Sequence, residues 1–254
     1  MLSGFKNNFN KTFTLAYPVM LSQLGQVMVG VADNIMVGRL ASLANSIFFM
    51  ILMFGIGISM AVTPMVAAAD GEGKKGKIGR YLNHGFVINT VASIILFLLI
   101  LAISPGLKLI NQPQEVVVLA IPYLLIITFS LIPFMFFQTY KQFIEGLSQT
   151  KQAMFITVLF NLLNIGLNYL LIYGNWGFPE LGLNGAGWAT LISRILMAWV
   201  LYLYVTRSKR YEKYVRSLRV KQLRFSIIKK MLGIGIPTGL QFIFEVGAFS
   251  SAAI

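Results

Sequence analysis

The chain contains no cysteine and only one histidine, His84. These absences exclude disulfides, a thiolate nucleophile, cysteine-ligated metals and any metal site with several histidine ligands. Charge is also scarce, because 11% of the residues are charged against about 25% in soluble domains. Hydrophobic residues make up 57% of the chain, and the mean hydropathy is +0.75. So little polar surface cannot coat a soluble globule, and the composition predicts a polytopic membrane protein.

Seven apolar segments follow one another along the chain. A membrane-spanning helix needs about 20 residues, and the first six segments are long enough. The seventh continues to Ile254, which favours a piece of a longer protein. We therefore expect an all-α integral membrane protein, with a six-helix bundle and the first helix of a second bundle. The segments cover approximately residues 13–37, 45–69, 83–103, 118–139, 153–173, 186–206 and 231–254.

The net charge of +13 is distributed unequally between the two sides of the predicted membrane. Eighteen Lys and Arg residues, including Lys141, fall in the N-terminal segment and in alternate loops, whereas only Arg39 and Lys108 fall on the opposite side. An excess of Lys and Arg marks cytoplasmic loops. We therefore expect a cytoplasmic N-terminus and a plasma membrane location, typically the bacterial inner membrane. Because these charges set topology, they do not indicate nucleic-acid binding.

A basic segment, residues 207–230, separates the sixth span from the seventh. It is either an amphipathic linker lying on the anionic inner leaflet or an ordinary loop that sets topology. Lys230 is followed seven residues later by Pro237, as Lys11 is by Pro18, which indicates a repeated bundle of the kind that transporters use. The predicted domains are a six-helix lobe (1–206), a linker (207–230) and the start of a second lobe (231–254).

Asp33 is the only acid in the first apolar segment. A carboxylate at that depth is costly unless it faces a cavity or the bundle interior. At 1.5 Å per residue, Asp33 lies about 9 Å inside the outer end of its helix. Four polar residues of the fifth segment occur at offsets 0, 4, 7 and 11 and so share one helical face: Thr157, Asn161, Asn164 and Asn168.

Asp33, Asn164, Asn168 and Thr190 fall at one predicted depth. One carboxylate with amide and hydroxyl oxygens is a set of hard ligands that suits sodium, or a proton on Asp33 with hydrogen-bonding neighbours. The alternative is that the asparagines only hydrogen-bond helices together. We predict a cation site of these four residues, with Asp33, Asn164 and Asn168 as metal ligands if the ion is sodium. No cofactor other than the coupling ion is expected.

Three further residues inside spans are functional candidates. Arg194 is either a charge partner of Asp33 or of another carboxylate, or a structural side chain that snorkels along its helix. Glu245 is the acid of the seventh span, and we expect it to serve a cation or substrate site in the second lobe. Pro18 removes a backbone hydrogen bond in the helix that carries Asp33 and is a hinge candidate.

The chain resembles the MATE (multidrug and toxic compound extrusion) transporters over its whole length. One pattern departs from the family, because Ala68 stands where a glutamine ends the family's Pro-x-Val-Ala-Gln motif. The matching segments are 18–23 (PVMLSQ), 32–39 (ADNIMVGR), 64–67 (PMVA), 142–146 (QFIEG), 164–169 (NIGLNY), 173–174 (YG), 179–182 (PELG) and 185–190 (GAGWAT).

The resemblance implies a twelve-helix transporter with two six-helix lobes, in which cationic drugs or metabolites leave in exchange for sodium or protons. Asp33, Asn164, Asn168 and Thr190 match the family's N-lobe cation site, and Glu245 matches the acid of helix 7. The expected partners are a small organic cation, the lipid bilayer and helices 8–12 of the same chain in a monomer. Without those helices we expect no transport, because the substrate path lies between lobes.

The sequence therefore predicts a cation-coupled secondary antiporter and not an enzyme. A flippase for lipid-linked oligosaccharides is the alternative of similar architecture, but it would be expected to carry several cationic residues in its cavity. An intramembrane enzyme needs paired acids or histidines on one face, and the chain offers isolated acids and one histidine.

Overall fold

The computed structural model describes the backbone of residues 2–37, 39–105, 114–215 and 223–252. Within these ranges it describes every side chain except those of residues 2–8, 11, 32–34, 37, 39–44, 114–119 and 246–252. This part of the chain is helical and contains no strand. Its α-helices are α1 (Leu2–Val37), α2 (Arg39–Ser59), α3 (Val62–Gly71), α4 (Lys75–Ile103), α5 (Gln114–Phe129), α6 (Leu131–Gly146), α7 (Thr150–Tyr173), α8 (Leu183–Arg207), α9 (Glu212–Val215) and α10 (Phe225–Ala252).

Seven stretches of these helices are long and apolar enough to cross a membrane. They correspond one by one to the seven predicted segments, so the predicted all-α membrane class is confirmed. Two spans consist of two helices each, α2 with α3 and α5 with α6. Pro64 and Pro133 are the third residues of α3 and α6. The first four N–H groups of a helix have no acceptor within it, so a proline at this position costs no helical hydrogen bond.

The spans pack in an order that builds one wall from α1, α7 and α8. α1 packs mainly against α7, and α7 packs against α8. α8 in turn packs against both α5 and α6, and the remaining side of α6 packs against α3 and α4. The wall of α1, α7 and α8 carries the candidate site, whereas α10 lies along α2.

The backbones of α2 and α10 touch where the two helices cross. A Cβ atom added at Gly57 would lie 2.3 Å from the Cα of Gly239 and 2.4 Å from its nitrogen. A Cβ atom added at Gly235 would lie 2.7 Å from the carbonyl oxygen of Ile58. In a bilayer, where lipid competes with apolar side chains, small residues let two spans associate through close backbone packing. These glycines therefore fix the position of α10 on the bundle.

The described part of the basic segment packs on the end of the bundle where Lys and Arg concentrate. Tyr211 is fully buried, and its ring lies 5.9 Å from the rings of both Phe143 and Tyr204, centroid to centroid. Burial raises the pKa of the Tyr211 phenol. Residues 216–222 lie outside the description. α10 already begins at Phe225, and the predicted division into domains stays a prediction.

His84 connects the start of α10 to α4. The side chain is fully buried, and its Nε2 accepts a hydrogen bond of 2.8 Å from the backbone N–H of Arg224. Its Nδ1 lies 2.7 Å from the carbonyl oxygen of Arg80. Because Nε2 accepts, the proton is on Nδ1, which donates to Arg80. The neutral imidazole thus bridges α4 and the residue that precedes α10.

Replacement of His84 by alanine is expected to release the basic segment from the bundle. The backbone N–H of Arg224 would lose its acceptor, which costs about 1–3 kcal/mol and raises the fraction of molecules with the segment released by a factor of about 5 to 150. Limited trypsin digestion should cut between residues 207 and 230 faster by a similar factor. His84→Gln, which keeps an acceptor, should be affected less, and equal rates for the alanine variant and the wild type would contradict the bridge.

Candidate cation site

A buried polar cluster joins α7 to α8. Asn164 and Asn168 are 2% and 0% exposed, and Thr190 is 5% exposed. The Asn164 amide nitrogen donates to the Thr190 hydroxyl at 3.3 Å, and the Asn168 amide nitrogen donates to the Asn164 oxygen at 3.4 Å. The structure therefore brings together three of the four predicted site residues. The contact also shows that Asn164 ties two helices together, the alternative role considered for it.

Asp33 lies on α1, but its side chain is outside the described residues. The Ser22 hydroxyl donates to the Thr157 hydroxyl at 3.2 Å, and this contact gives the register of α1 against α7. The two residues are 135 positions apart in the chain. Asp33 and Asn168 are separated by the same 135 positions. Because both helices rise 1.5 Å per residue and predicted topology makes them parallel, position 33 comes at the level of Asn168. The cation site around Asp33 itself stays a prediction.

A second group of polar side chains lies along the same α1–α7 contact, between the Ser22–Thr157 pair and Asn164. Both amide atoms of Gln26 and the amide nitrogen of Asn161 are buried without a hydrogen-bond partner in the described part of the chain. Asn161 comes close to α1 because position 25 is glycine, where an added Cβ atom would lie 2.8 Å from the Asn161 amide nitrogen. Unpaired amides in a span are costly, so this contact is a place for water or a polar ligand.

The sequence contained a signal for this second group that the offset analysis of α7 alone missed. Ser22, Gln26 and Asp33 occur at offsets 0, 4 and 11, three of the offsets found for the polar residues of α7. Two parallel helices with the same polar offsets present matching polar faces. The comparison of the two segments would have placed Ser22 and Gln26 beside the predicted site.

Arg194 is held at the junction between α5 and α6. Its Nη1 donates to the Ser130 hydroxyl at 2.8 Å, and its guanidinium carbon lies 4.7 Å from the ring centroid of Phe134 and 5.2 Å from that of Phe48. Hydrogen bonding and cation–π contacts stabilise a cation inside a span. These contacts give Arg194 a place between α8, α6 and α2, and its pairing with Asp33 stays a prediction.

Glu245 and Pro18 occupy different surroundings. Glu245 is exposed on α10, whose main partner is α2, so the structure does not bring it into the buried cluster. Pro18 is buried within α1, which continues on both sides of it. The roles predicted for these two residues, in a second-lobe site and at a hinge, stay predictions.

A buried ion pair at the end of the fourth span was not anticipated. The Nζ of Lys141 lies 3.1 Å from a carboxylate oxygen of Glu145, and the side chains are 0% and 6% exposed. Lys141 was assigned to a loop, and this was wrong: it lies in α6, one turn before the helix ends. The Thr63 hydroxyl donates to the Gln142 carbonyl oxygen at 3.0 Å and joins the pair's helix to α3. A Lys and a Glu at i and i+4 at the end of an apolar run is the signal that could have revealed it.

Comparison with known proteins places this architecture in a family. The MatE family model matches residues 18–170. The chain is 30% identical over 256 aligned residues to the multidrug resistance protein MdtK of Pectobacterium atrosepticum, covering 96% of this chain and 55% of that protein. It is 29% identical to the multidrug resistance protein NorM of Photobacterium profundum, covering 100% and 57%. The chain thus spans about half the length of the curated relatives it matches.

Solved structures share the fold. The eukaryotic MATE transporter AtDTX14 matches with a TM-score of 0.86 at 22% identity, covering 98% of this chain and 56% of that one. An outward-facing multidrug resistance MATE family transporter of the MOP superfamily matches with a TM-score of 0.80 at 21% identity, covering 92% and 52%. The predicted arrangement of spans is therefore that of one half of a MATE transporter.

Proposed function

The chain belongs to the MatE family, and from this premise we propose that it forms the first lobe of a cation-coupled antiporter that exports organic cations. The observation that carries the proposal is the buried polar wall of α1, α7 and α8, with Asn164, Asn168 and Thr190 hydrogen-bonded at its centre. Polar and ionisable groups inside spans mark ion or substrate pathways. The names of the relatives support multidrug export.

In this proposal Asp33 alternates between a cation-bound and a cation-free state. The cation is sodium, held by the carboxylate with the oxygens of Asn164, Asn168 and Thr190, or a proton on the carboxylate. Binding couples to export only if the cation binds two conformations of the bundle with different affinity. The bend that separates these conformations is assigned to α1 near Pro18, because the proline lacks the backbone N–H that would stiffen the helix.

The test is export of ethidium by cells that express the complete gene encoding this chain, in the presence and absence of sodium and at two external pH values. Lower ethidium accumulation than in cells with an empty vector is the expected result. If export requires sodium at constant pH, the ion is sodium, and if it follows the pH gradient without sodium, the ion is the proton. Equal accumulation with and without the gene, at confirmed membrane abundance, would contradict the proposal for this substrate class.

A further inference from the structure

A long apolar groove lies between the fourth span and α8, on the outside of the bundle. Its volume is about 840 Å³, and every lining residue is aliphatic or aromatic. Trp188 and Tyr202 mark its two ends on α8, and they are 45% and 38% exposed. They are fourteen positions apart, which corresponds to about 21 Å of helix. The groove opens where α5 ends and α6 begins, with Phe129 on one side of the junction.

The groove has the dimensions and chemistry of a site for one lipid acyl chain. It lies within two spans, where hydrocarbon is the surrounding solvent. A hydrocarbon core of about 30 Å assigns about half that length to each leaflet, so 21 Å is sufficient for one chain. Tyr202, at the basic end of the groove, is of a residue type that favours the membrane interface. An extended peptide segment would leave its backbone groups unpaired against a lining of this kind.

Positive charge lies near the basic end of the groove. Thr206 is one turn beyond Tyr202 on the same face of α8, and it lines a small pocket together with Arg207. Arg207 lies about 8 Å beyond Tyr202 along the helix and about 140° around it, and its exposed side chain borders the same pocket as Thr206. The acid Glu212 also lines this pocket, and it already interacts with another group of the protein. Basic residues outnumber this acid four to one over residues 206–215, namely Arg207, Lys209, Arg210 and Lys213.

We propose that the groove between the fourth span and α8 binds an acyl chain of an anionic phospholipid, whose phosphate lies at Arg207. The guanidinium suits bidentate contact with phosphate, and the basic end is the predicted cytoplasmic side, where anionic lipids concentrate. The bound lipid would cover the junction of α5 and α6. The site is distinct from the cation site and does not require that export be driven by any particular ion.

The three tryptophans of the chain allow a direct test. Trp199 lines the groove, whereas Trp176 lies in the loop between α7 and α8 and is 88% exposed. Two variants, each keeping one of these tryptophans with the other two replaced by phenylalanine, are reconstituted in phosphatidylcholine vesicles. Brominated phosphatidylglycerol or brominated phosphatidylcholine is then added in increasing mole fraction, and quenching of the tryptophan fluorescence is recorded.

We expect Trp199 to reach half-maximal quenching at a mole fraction about fivefold lower for phosphatidylglycerol than for phosphatidylcholine. Trp176 should not distinguish the two lipids. Arg207→Gln should bring the two Trp199 curves together, and Ala198→Phe, which fills the groove, should weaken quenching by both lipids. The Arg207 variant lies on the surface and keeps the test valid if the Ala198 variant fails to fold.

Two results would overturn the proposal. Coincident curves for the two lipids at Trp199 in the otherwise unchanged chain would show bulk lipid contact without a phosphate site. Trp199 shielded from both brominated lipids would show that protein, such as a second copy of the chain, covers the groove.

Discussion

Replacement of Asp33 by asparagine is expected to abolish cation-driven export while leaving the protein in the membrane. Asparagine keeps the size of the side chain and its ability to hydrogen-bond, but it cannot carry or lose a proton and binds a cation less strongly than a carboxylate does. Coupling energies between two ligands are commonly about 1–3 kcal/mol, a factor of about 5 to 150 in affinity. Loss of the carboxylate should therefore remove the cation-driven component of ethidium export, so that total export falls to about the undriven rate.

The control for this variant is Glu72→Gln. Glu72 is also an acid, but it lies in the turn between α3 and α4 with its carboxylate 2.8 Å from the Lys74 ammonium, which holds the pKa of Glu72 below its usual range. An exposed ion pair of this kind contributes little to stability, so export should be unchanged. Thr190→Val should lower export less than Asp33→Asn does, because it removes one neutral ligand. Cation-driven export by Asp33→Asn at the wild-type rate would remove Asp33 from the mechanism.

The number of spans followed from composition because length and hydrophobicity decide it. An apolar stretch of sufficient length crosses the membrane regardless of its neighbours, so the seven segments were predictable from the sequence. The α7 face with Asn164 and Asn168 was predictable for a related reason, since helical periodicity places offsets of 4 and 7 together. Thr190 could be assigned to the same site as these asparagines because the predicted topology placed it at the same depth in the membrane.

The rest depends on which helices are neighbours, and periodicity within one helix does not report that. The Lys141–Glu145 pair is buried because α6 continues past the apolar run and packs among α3, α4 and α8. His84 is buried because the residue that precedes α10 returns to α4. An acid such as Glu245 is costly to place within a span. In the described part of the chain Glu245 has no buried partner, because α10 lies along α2.

Replacement of Gly57 by alanine is expected to separate α10 from α2. The new Cβ atom would lie 2.3 Å from the Gly239 Cα, and neither atom can move without moving the backbone of its helix. The helices must shift apart and lose the contacts on either side of the crossing, including that of Gly235 with Ile58. Overpacking costs about 1–3 kcal/mol, which corresponds to a fall in Tm on the order of 5 °C for a chain of this size. Thermal unfolding of the purified chain in detergent measures it.

Gly233→Ala is the matched control, because it makes the same change in α10 where an added Cβ atom meets nothing within 4 Å. Alanine is a better helix former than glycine by about 1 kcal/mol, so Tm should stay constant or rise. Gly239→Ala should resemble Gly57→Ala, because its Cβ atom would lie 2.9 Å from the Phe54 carbonyl oxygen. If Gly57→Ala and Gly233→Ala unfold at the same temperature, the two helices do not touch through their backbones. If Gly57→Ala is destabilised while Gly233→Ala is not, and Gly57→Ala also loses ethidium export, the crossing holds the first helix of the second lobe in the place that transport requires.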